Sequence, residues 1–311
     1  MYKIILRVFS IALFISLHAQ ESYNITQHHV IDTSRQELYP HNRIHPHREF
    51  MIHVWQPVQQ QNKQLPLIVY SHGLGGMYNG TSYTWLCENL VQHGYCVVSV
   101  SHTYACKPIV LSDGLKTEYL FPIPAIHYHG GDFFSKEIET WIMDIQHVID
   151  QITLYCSECD GSDIVVMGHS FGGSVAVQIC RRDERVRCAI NLDGPLCGEN
   201  ALSPFEKPVL CILGVLKDIA YSATMPPALL QAIAWSWQVK RTILPAIMQL
   251  RENMQQYVQL VTVPDIVHEM FSDNAVSDER VGGLVVDVDT AHDVIVGYVH
   301  EFLGCYENNN K

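Results

Sequence analysis

The sequence predicts an α/β protein in which a mainly parallel sheet is flanked by helices on both faces. Short apolar runs rich in β-branched residues recur along the chain, as strands buried on both faces require. Most of the later runs alternate with segments whose apolar residues repeat every three or four positions, the period of a helix with one buried face. In this architecture functional side chains collect at the carboxyl ends of the strands.

The strand and helix patterns follow one another along the whole chain. The strand-like runs are residues 50–55, 65–70, 96–101, 164–167, 187–192, 209–213 and 260–263. One helical pattern ends at His93 before Gly94, and a second covers residues 135–155. A third follows Ser170, and a fourth covers residues 289–302. A segment of about 220–257 breaks the alternation with two helix-like patterns. We interpret it as a helical insertion that serves either as core packing or as a lid or wall of a binding site.

The composition is that of one large globular domain. The 311 residues carry a formal net charge of −12 and show no fixed-period repeat or low-complexity linker. We therefore expect a single domain over residues 20–311. The lack of a Lys/Arg stripe argues against a nucleic-acid partner, because nothing would displace the counterions of the phosphates.

Residues 1–19 differ from the rest of the chain. Lys3 and Arg7 accompany an apolar stretch that ends at Ala19 and is followed by polar residues. This order is typical of a secretory signal peptide, and the apolar part is short for a spanning helix. We therefore expect a secreted or periplasmic protein, with an uncleaved membrane anchor as the alternative.

The segment 164–180 carries the most specific chemical signal in the chain. It reads IVVMGHSFGGSVAVQIC and places Ser170 in G-x-S-x-G between a buried strand and a helix rich in small residues. Such a turn needs glycines around the serine and leaves the hydroxyl exposed above the sheet. Ser170 is therefore the predicted nucleophile of a serine hydrolase.

A serine nucleophile needs a histidine base and a carboxylate that orients it, in the chain order serine, acid, histidine. His268 follows the last strand and is the predicted base, whereas His292 lies inside the terminal helical pattern. Two aspartates compete as the acid. Asp193 directly follows a strand and precedes Gly-Pro, while Asp218 follows the next strand, where this fold more often carries its acid. Local chemistry leaves both aspartates open.

The oxyanion of the reaction needs two backbone N–H donors. Phe171, directly after the serine, supplies the first. The Gly-rich loop at residues 71–76, SHGLGG, follows a strand and supplies the second, for which Leu74 is the candidate. His102 follows an earlier strand and is expected to border the pocket.

Cysteines and histidines suggest other chemistry only weakly. Cys156 and Cys159 form one C-x-x-C in a polar loop, which favours a local disulfide or two thiols over half a metal site. The histidines at 41–47 and 127–129 lie in Pro-containing segments, which are typical of loops and do not by themselves indicate a metal site. The apolar patterns predict buried free thiols at Cys96, Cys180, Cys188 and Cys211. We expect neither a metal nor a cofactor.

Four segments together resemble a known family. They are SHGLGG at 71–76, GHSFGG at 168–173, INLDGP at 190–195 and VHEMFSD at 267–273. These resemble the platelet-activating-factor acetylhydrolase group, the plasma-type lipoprotein-associated phospholipases A2, which have the α/β-hydrolase fold. The resemblance covers residues 65–304.

The resemblance implies Ser170, Asp193 and His268 as the catalytic residues, with Leu74 and Phe171 as oxyanion donors. It also implies a small-molecule or lipid ester substrate, namely a phospholipid with a short or oxidised sn-2 acyl group. Separately, Trp235 and Trp237 in the insertion are expected either to make transient contact with a lipid surface or to pack in the core. Two alternatives stay open. One is a general esterase, lipase or polyester hydrolase of the same fold, in which Asp218 is the acid; the other is a noncatalytic binding protein.

Overall fold

A computed structural model of the protein describes residues 23–37, 45–58, 64–76, 82–120, 130–216, 238–273, 280–281, 284–285 and 287–307. Its centre is an eight-stranded sheet with the spatial order β1-β2-β4-β3-β5-β6-β7-β8. The strands are β1 (Tyr23–Asp32), β2 (Arg48–Pro57), β3 (Leu65–Ser71), β4 (Cys96–Ser101), β5 (Cys159–His169), β6 (Val186–Leu192), β7 (Val209–Val215) and β8 (Val258–Pro264). Strands β3 to β8 pair in parallel, and β1 and β2 pair antiparallel with their neighbours. The predicted mainly parallel sheet is confirmed.

Helices cover both faces of the sheet. They are α1 (Thr84–Gln92), α2 (Gly130–Asp150), the short α3 (Ile152–Tyr155), α4 (Phe171–Arg182), α5 (Leu244–Met254) and α6 (Val288–Glu307). Short helical turns occur at Val239–Ile243, Gln255–Tyr257 and His268–Phe271, and Arg280–Val281 pairs with Leu284–Val285 in a small hairpin. Helices α2, α4 and α5 contribute to one core, and α1 and α6 to the other.

The alternation of side chains along each strand explains the two cores. Val166 of β5 lies in the first core with Trp141 of α2, whereas its neighbour Val165 lies in the second core with Phe302 of α6. Strands buried on both faces therefore need continuous apolar runs, which is why the sequence locates them well.

The sequence patterns do not predict β1. Its residues, YNITQHHVID, are largely polar, and most of its side chains are exposed because the strand lies at the edge of the sheet. Val30 of β1 is fully buried in the first core, opposite Phe50 of β2, and Tyr23 packs partly buried against the second core. Backbone pairing rather than apolar burial therefore accounts for most of this strand.

Parts of the sequence-based prediction lie outside the described residues. These are the signal segment 1–19 and the first half of the predicted insertion, with Asp218, Trp235 and Trp237. The second half is helical, and α5 packs into the first core through Ile247 and Leu250. None of the described helices combines the length and apolar character needed to cross a membrane.

The cysteine thiols occupy the positions expected from the apolar patterns, with one exception. Cys180, Cys188 and Cys211 are buried and free. Cys96, however, lies within disulfide range of Cys159, with Cα atoms 6.1 Å apart, and Cys156 lies 5.5 Å from Cys159 by the same measure. The three cysteines form a cluster at the amino ends of β4 and β5, the end of the sheet opposite Ser170.

Candidate active site

Ser170 lies in a strained turn between β5 and α4. Its backbone has φ 55° and ψ −123°, a conformation that L-residues rarely adopt. Neighbouring backbones crowd the turn: a Cβ at Gly172 would lie 2.2 Å from the carbonyl oxygen of Ser71, and one at Gly168 would lie 2.2 Å from the carbonyl oxygen of Gly172. The glycines predicted from G-x-S-x-G are therefore required by close backbone approach.

A continuous chain of hydrogen bonds joins the three predicted triad residues. His268 Nε2 lies 3.0 Å from Ser170 Oγ, and His268 Nδ1 lies 2.6 Å from Asp193 Oδ2. The Asp193 side chain is fully buried, whereas 18% of the His268 side chain is exposed. The structure thus brings together residues from the ends of β5, β6 and β8. Asp218, the competing acid, lies outside the described residues.

Backbone and amide groups fix the Asp193 carboxylate. Asp193 has φ 51°, and its N–H donates to the carbonyl of Ile212 at 2.7 Å. The Asn191 side chain closes this turn, because it accepts from the Gly194 N–H at 2.9 Å and donates to the Gly194 carbonyl at 3.0 Å. The Gly214 N–H donates to Asp193 Oδ1 at 2.8 Å. Both carboxylate oxygens are therefore held.

The Gly-rich loop at residues 71–76 lies against the serine turn. A Cβ at Gly73 would lie 3.0 Å from the Cβ of Ser170, so only glycine fits between them without a shift. Leu74 is partly buried against the first core, and Phe171 begins α4 directly after Ser170. The two predicted oxyanion donors thus come from the loop and the helix that flank the serine.

Tyr83 and His169 support this loop, although the sequence motifs assign a role to neither residue. The Tyr83 hydroxyl accepts the Gly73 N–H at 3.0 Å and lies 2.9 Å from His169 Nδ1. Burial, together with the neighbouring His268, lowers the pKa of His169 well below its ordinary value. His169 is therefore neutral, and its ring packs against His268 with centroids 4.4 Å apart.

The other histidine candidates contact groups other than Ser170. His292 stacks on Trp85 with ring centroids 3.8 Å apart, and its Nε2 lies 3.0 Å from the Met270 carbonyl. His102 is completely buried and contacts Asp144, so it does not line an open pocket as expected from the sequence. Among the described residues, the possible metal ligands that group together are Cys96, Cys156 and Cys159, and none of them lies near Ser170.

The sequence matches a protein family over residues 49–118 and 142–294, more than half of the chain. The family is described as platelet-activating factor acetylhydrolase, isoform II. A platelet-activating factor acetylhydrolase from Cavia porcellus is 26% identical over 191 residues, which are 51% of this chain and 42% of that relative. One from Canis lupus familiaris is 30% identical over 166 residues, 45% of this chain and 37% of that relative. The chain thus spans less than half the length of the curated relatives it matches.

Solved structures agree with the fold. A ferulic acid esterase from Streptomyces cinnamoneus superposes with a TM-score of 0.67 at 22% identity, covering 92% of this chain and 90% of the other. At that identity the similarity establishes the architecture, an α/β-hydrolase fold. Since the family match and the architecture agree, the chain belongs to the platelet-activating factor acetylhydrolase, isoform II, family of α/β-hydrolases.

Proposed function

We propose that this protein is a serine carboxylic-ester hydrolase that releases short sn-2 acyl groups from phospholipids. The observation that carries the proposal is the hydrogen-bonded chain from Ser170 Oγ through His268 to the buried Asp193. A serine hydroxyl is a poor nucleophile at neutral pH, and this arrangement supplies the base that it needs.

In the proposed acylation step, Ser170 Oγ attacks the acyl carbon while His268 Nε2 takes the hydroxyl proton. Asp193 accepts the hydrogen bond from His268 Nδ1 and stabilises the imidazolium that forms. The carbonyl oxygen becomes an oxyanion, which the N–H groups of Leu74 and Phe171 bind. His268 then returns the proton to the departing alcohol, and an acyl-serine remains.

Deacylation repeats these roles with water. His268 accepts a proton from a water molecule, whose oxygen attacks the acyl-serine, and the second tetrahedral intermediate expels Ser170 Oγ. The proton passes to Oγ and the free acid leaves. Each of these steps uses side chains or backbone groups of the chain itself.

Family membership supports the substrate class. The curated relatives bear the name platelet-activating factor acetylhydrolase. For this chain we propose a phospholipid with a short sn-2 acyl group, reached by transient contact with a lipid surface after export to a secreted or periplasmic location. The exposed part of His268 leaves the catalytic base open to a ligand from solvent.

The test compares two phosphocholines, one with an sn-2 acetyl group and one with two long acyl chains. Wild type, Ser170→Ala and the control Ser162→Ala, an exposed serine on β5, are assayed under identical conditions. We expect turnover of the acetyl substrate by wild type and the control, and its loss in Ser170→Ala. Hydrolysis of simple esters through Ser170 without phospholipid turnover would contradict the substrate class. Undiminished activity in Ser170→Ala would contradict the mechanism.

A further inference from the structure

A second Ser-His-Asp chain lies beneath the Gly-rich loop. His102 Nε2 lies 3.1 Å from Ser71 Oγ, and His102 Nδ1 lies 2.9 Å from Asp144 Oδ2. Ser71 ends β3, His102 directly follows β4, and Asp144 belongs to α2. All three residues have 0% exposure. A substrate cannot reach Ser71, so this chain is not a second catalytic centre.

Two arginines balance the negative charge of Asp144. Arg48 donates to both carboxylate oxygens of Asp144, at 3.1 and 2.7 Å, and Arg35 donates to one of them at 2.8 Å. Burial opposes ionisation of Asp144, but the charge of Arg48 outweighs it, and the pKa of Asp144 lies below its ordinary value. Asp144 is thus a fixed anion that can orient His102.

The hydrogen bonds run in one defined direction. Burial lowers the pKa of His102, although Asp144 opposes the shift, and burial lowers the pKa of His72 to about 3, so both rings are neutral. His102 then donates from Nδ1 to Asp144 and accepts a hydrogen bond from the Ser71 hydroxyl at Nε2. The His102 backbone N–H donates to His72 Nε2 at 3.0 Å, so His72 donates from Nδ1 to the Gly73 carbonyl at 2.6 Å.

This network holds the Gly-rich loop at both of its ends. Ser71 and His72 anchor its start, and the Gly75 N–H donates to the carbonyl of Ala105, whose own N–H donates to the His102 carbonyl at 3.1 Å. Leu74 stands between these anchors. The position of Leu74 relative to Ser170 therefore depends on His102.

Trp141 of α2 connects the same network with the other oxyanion donor. Its ring stacks on His102, with centroids 4.0 Å apart and planes 13° apart, and it meets the Phe171 ring edge-on at 4.9 Å. One buried cluster thus contacts the segments that carry both Leu74 and Phe171.

We propose that Ser71, His102 and Asp144 are positioning residues that hold the Leu74 N–H in place for the oxyanion. This inference rests on the proposed function. Oxyanion donors act only when they stand at the place where charge develops, so a small displacement of the loop lowers the rate without weakening ground-state binding. The cluster would then affect kcat rather than KM.

The test is Ser71→Ala with Ser101→Ala as the matched control. Ser101 is an equally buried serine on β4, and its hydroxyl has no hydrogen-bond partner among the described residues. For Ser71→Ala we expect kcat for the acetyl ester to fall about tenfold or more, with KM within about twofold. Ser101→Ala should match wild type. Equal kinetics in the two variants would overturn the inference.

The affinity of a trifluoromethyl ketone inhibitor is a second measurement, and a purely structural defect would not change it. Ser170 Oγ adds to its carbonyl carbon, His268 takes the proton, and the carbonyl oxygen becomes an oxyanion in the same site. We expect Ser71→Ala to weaken this inhibitor by the factor by which kcat falls, with both variants measured at a temperature at which they are fully folded. Unchanged inhibition alongside a lower kcat would overturn the inference.

A second variant covers the case in which Ser71→Ala folds poorly. His102→Phe keeps a ring on Trp141 but removes the hydrogen bonds to Ser71 and Asp144, and it should show the same split between kcat and KM. Labelling of Ser170 by a fluorophosphonate separates the two proposals. An unlabelled Ser170 in wild type would refute the proposed function, whereas a labelled Ser170 with wild-type kinetics in both variants would refute this inference alone.

Discussion

The Gly214 backbone N–H donates to Asp193 Oδ1, and the other carboxylate oxygen, Oδ2, bonds to His268. Gly214 lies in β7, next to β8, whose end leads to His268. A Cβ at Gly214 would lie only 2.5 Å from the carbonyl oxygen of Ile266. One glycine therefore orients the Asp193 carboxylate and lets the segment that leads to His268 approach closely.

Gly214→Ala should displace the segment around Ile266 and with it His268. We expect kcat for a short-chain ester to fall at least about tenfold, because catalytic groups tolerate little misplacement. Overpacking should also lower the free energy of unfolding by about 1–3 kcal/mol. Ester kinetics and urea unfolding of the purified variant measure the two effects.

Gly297→Ala is the matched control for that substitution. Gly297 lies in α6, and a Cβ there would meet nothing within 4 Å. Alanine should leave activity unchanged and raise stability by about 0.5–1 kcal/mol, the difference in helix propensity. Wild-type activity in Gly214→Ala would show that His268 does not depend on this contact.

Asp193→Asn tests which aspartate orients the base. An amide in place of the carboxylate can present N–H to His268 Nδ1 and so favour the wrong tautomer. We expect kcat to fall by about 10⁴ while the fold is kept. Asp218→Asn, measured beside it on the same ester, should keep nearly full activity. The reverse pattern would move the acid to Asp218 and favour the general esterase.

The sequence locates the proposed triad because of a simple topological rule. Ser170, Asp193 and His268 each follow an apolar run, and the carboxyl ends of parallel strands meet at one edge of the sheet. Their grouping therefore needs only the order of the strands. The order of the strands does not separate Asp193 from Asp218, because both aspartates follow a strand. Only the family resemblance favours Asp193.

The supporting residues could not be predicted in this way. Tyr83 reaches His169 across 86 positions of sequence, and His102 reaches Asp144 across 42. Such contacts depend on helix packing against the sheet, and neither residue pair leaves a local pattern. Strand β1 lacks an apolar pattern for a related reason, since its pairing with β2 satisfies backbone groups rather than burying an apolar face.

The burial of His53 leads us to expect a loss of folding stability in mild acid. It lies in β2 with 3% exposure, and neither ring nitrogen has a hydrogen-bond partner among the described residues. Burial, with a smaller effect of His28, lowers the pKa of His53 to about 4. Between that value and about 6.5 the unfolded chain binds a proton that the folded protein does not. This contribution to stability is therefore complete above pH 6.5 and is lost as the pH falls toward 4.

His53→Leu removes both the proton-binding site and a buried polar group without partners. We expect the variant to gain stability over wild type, and the gain to be larger at pH 5 than at pH 7 by about 1 kcal/mol after allowance for solvent screening. Urea unfolding at the two pH values measures the difference. If wild type and variant lose the same free energy of unfolding between pH 7 and pH 5, His53 is protonated equally in the folded and unfolded states, and the acid sensitivity must come from other buried groups such as His72 and His169.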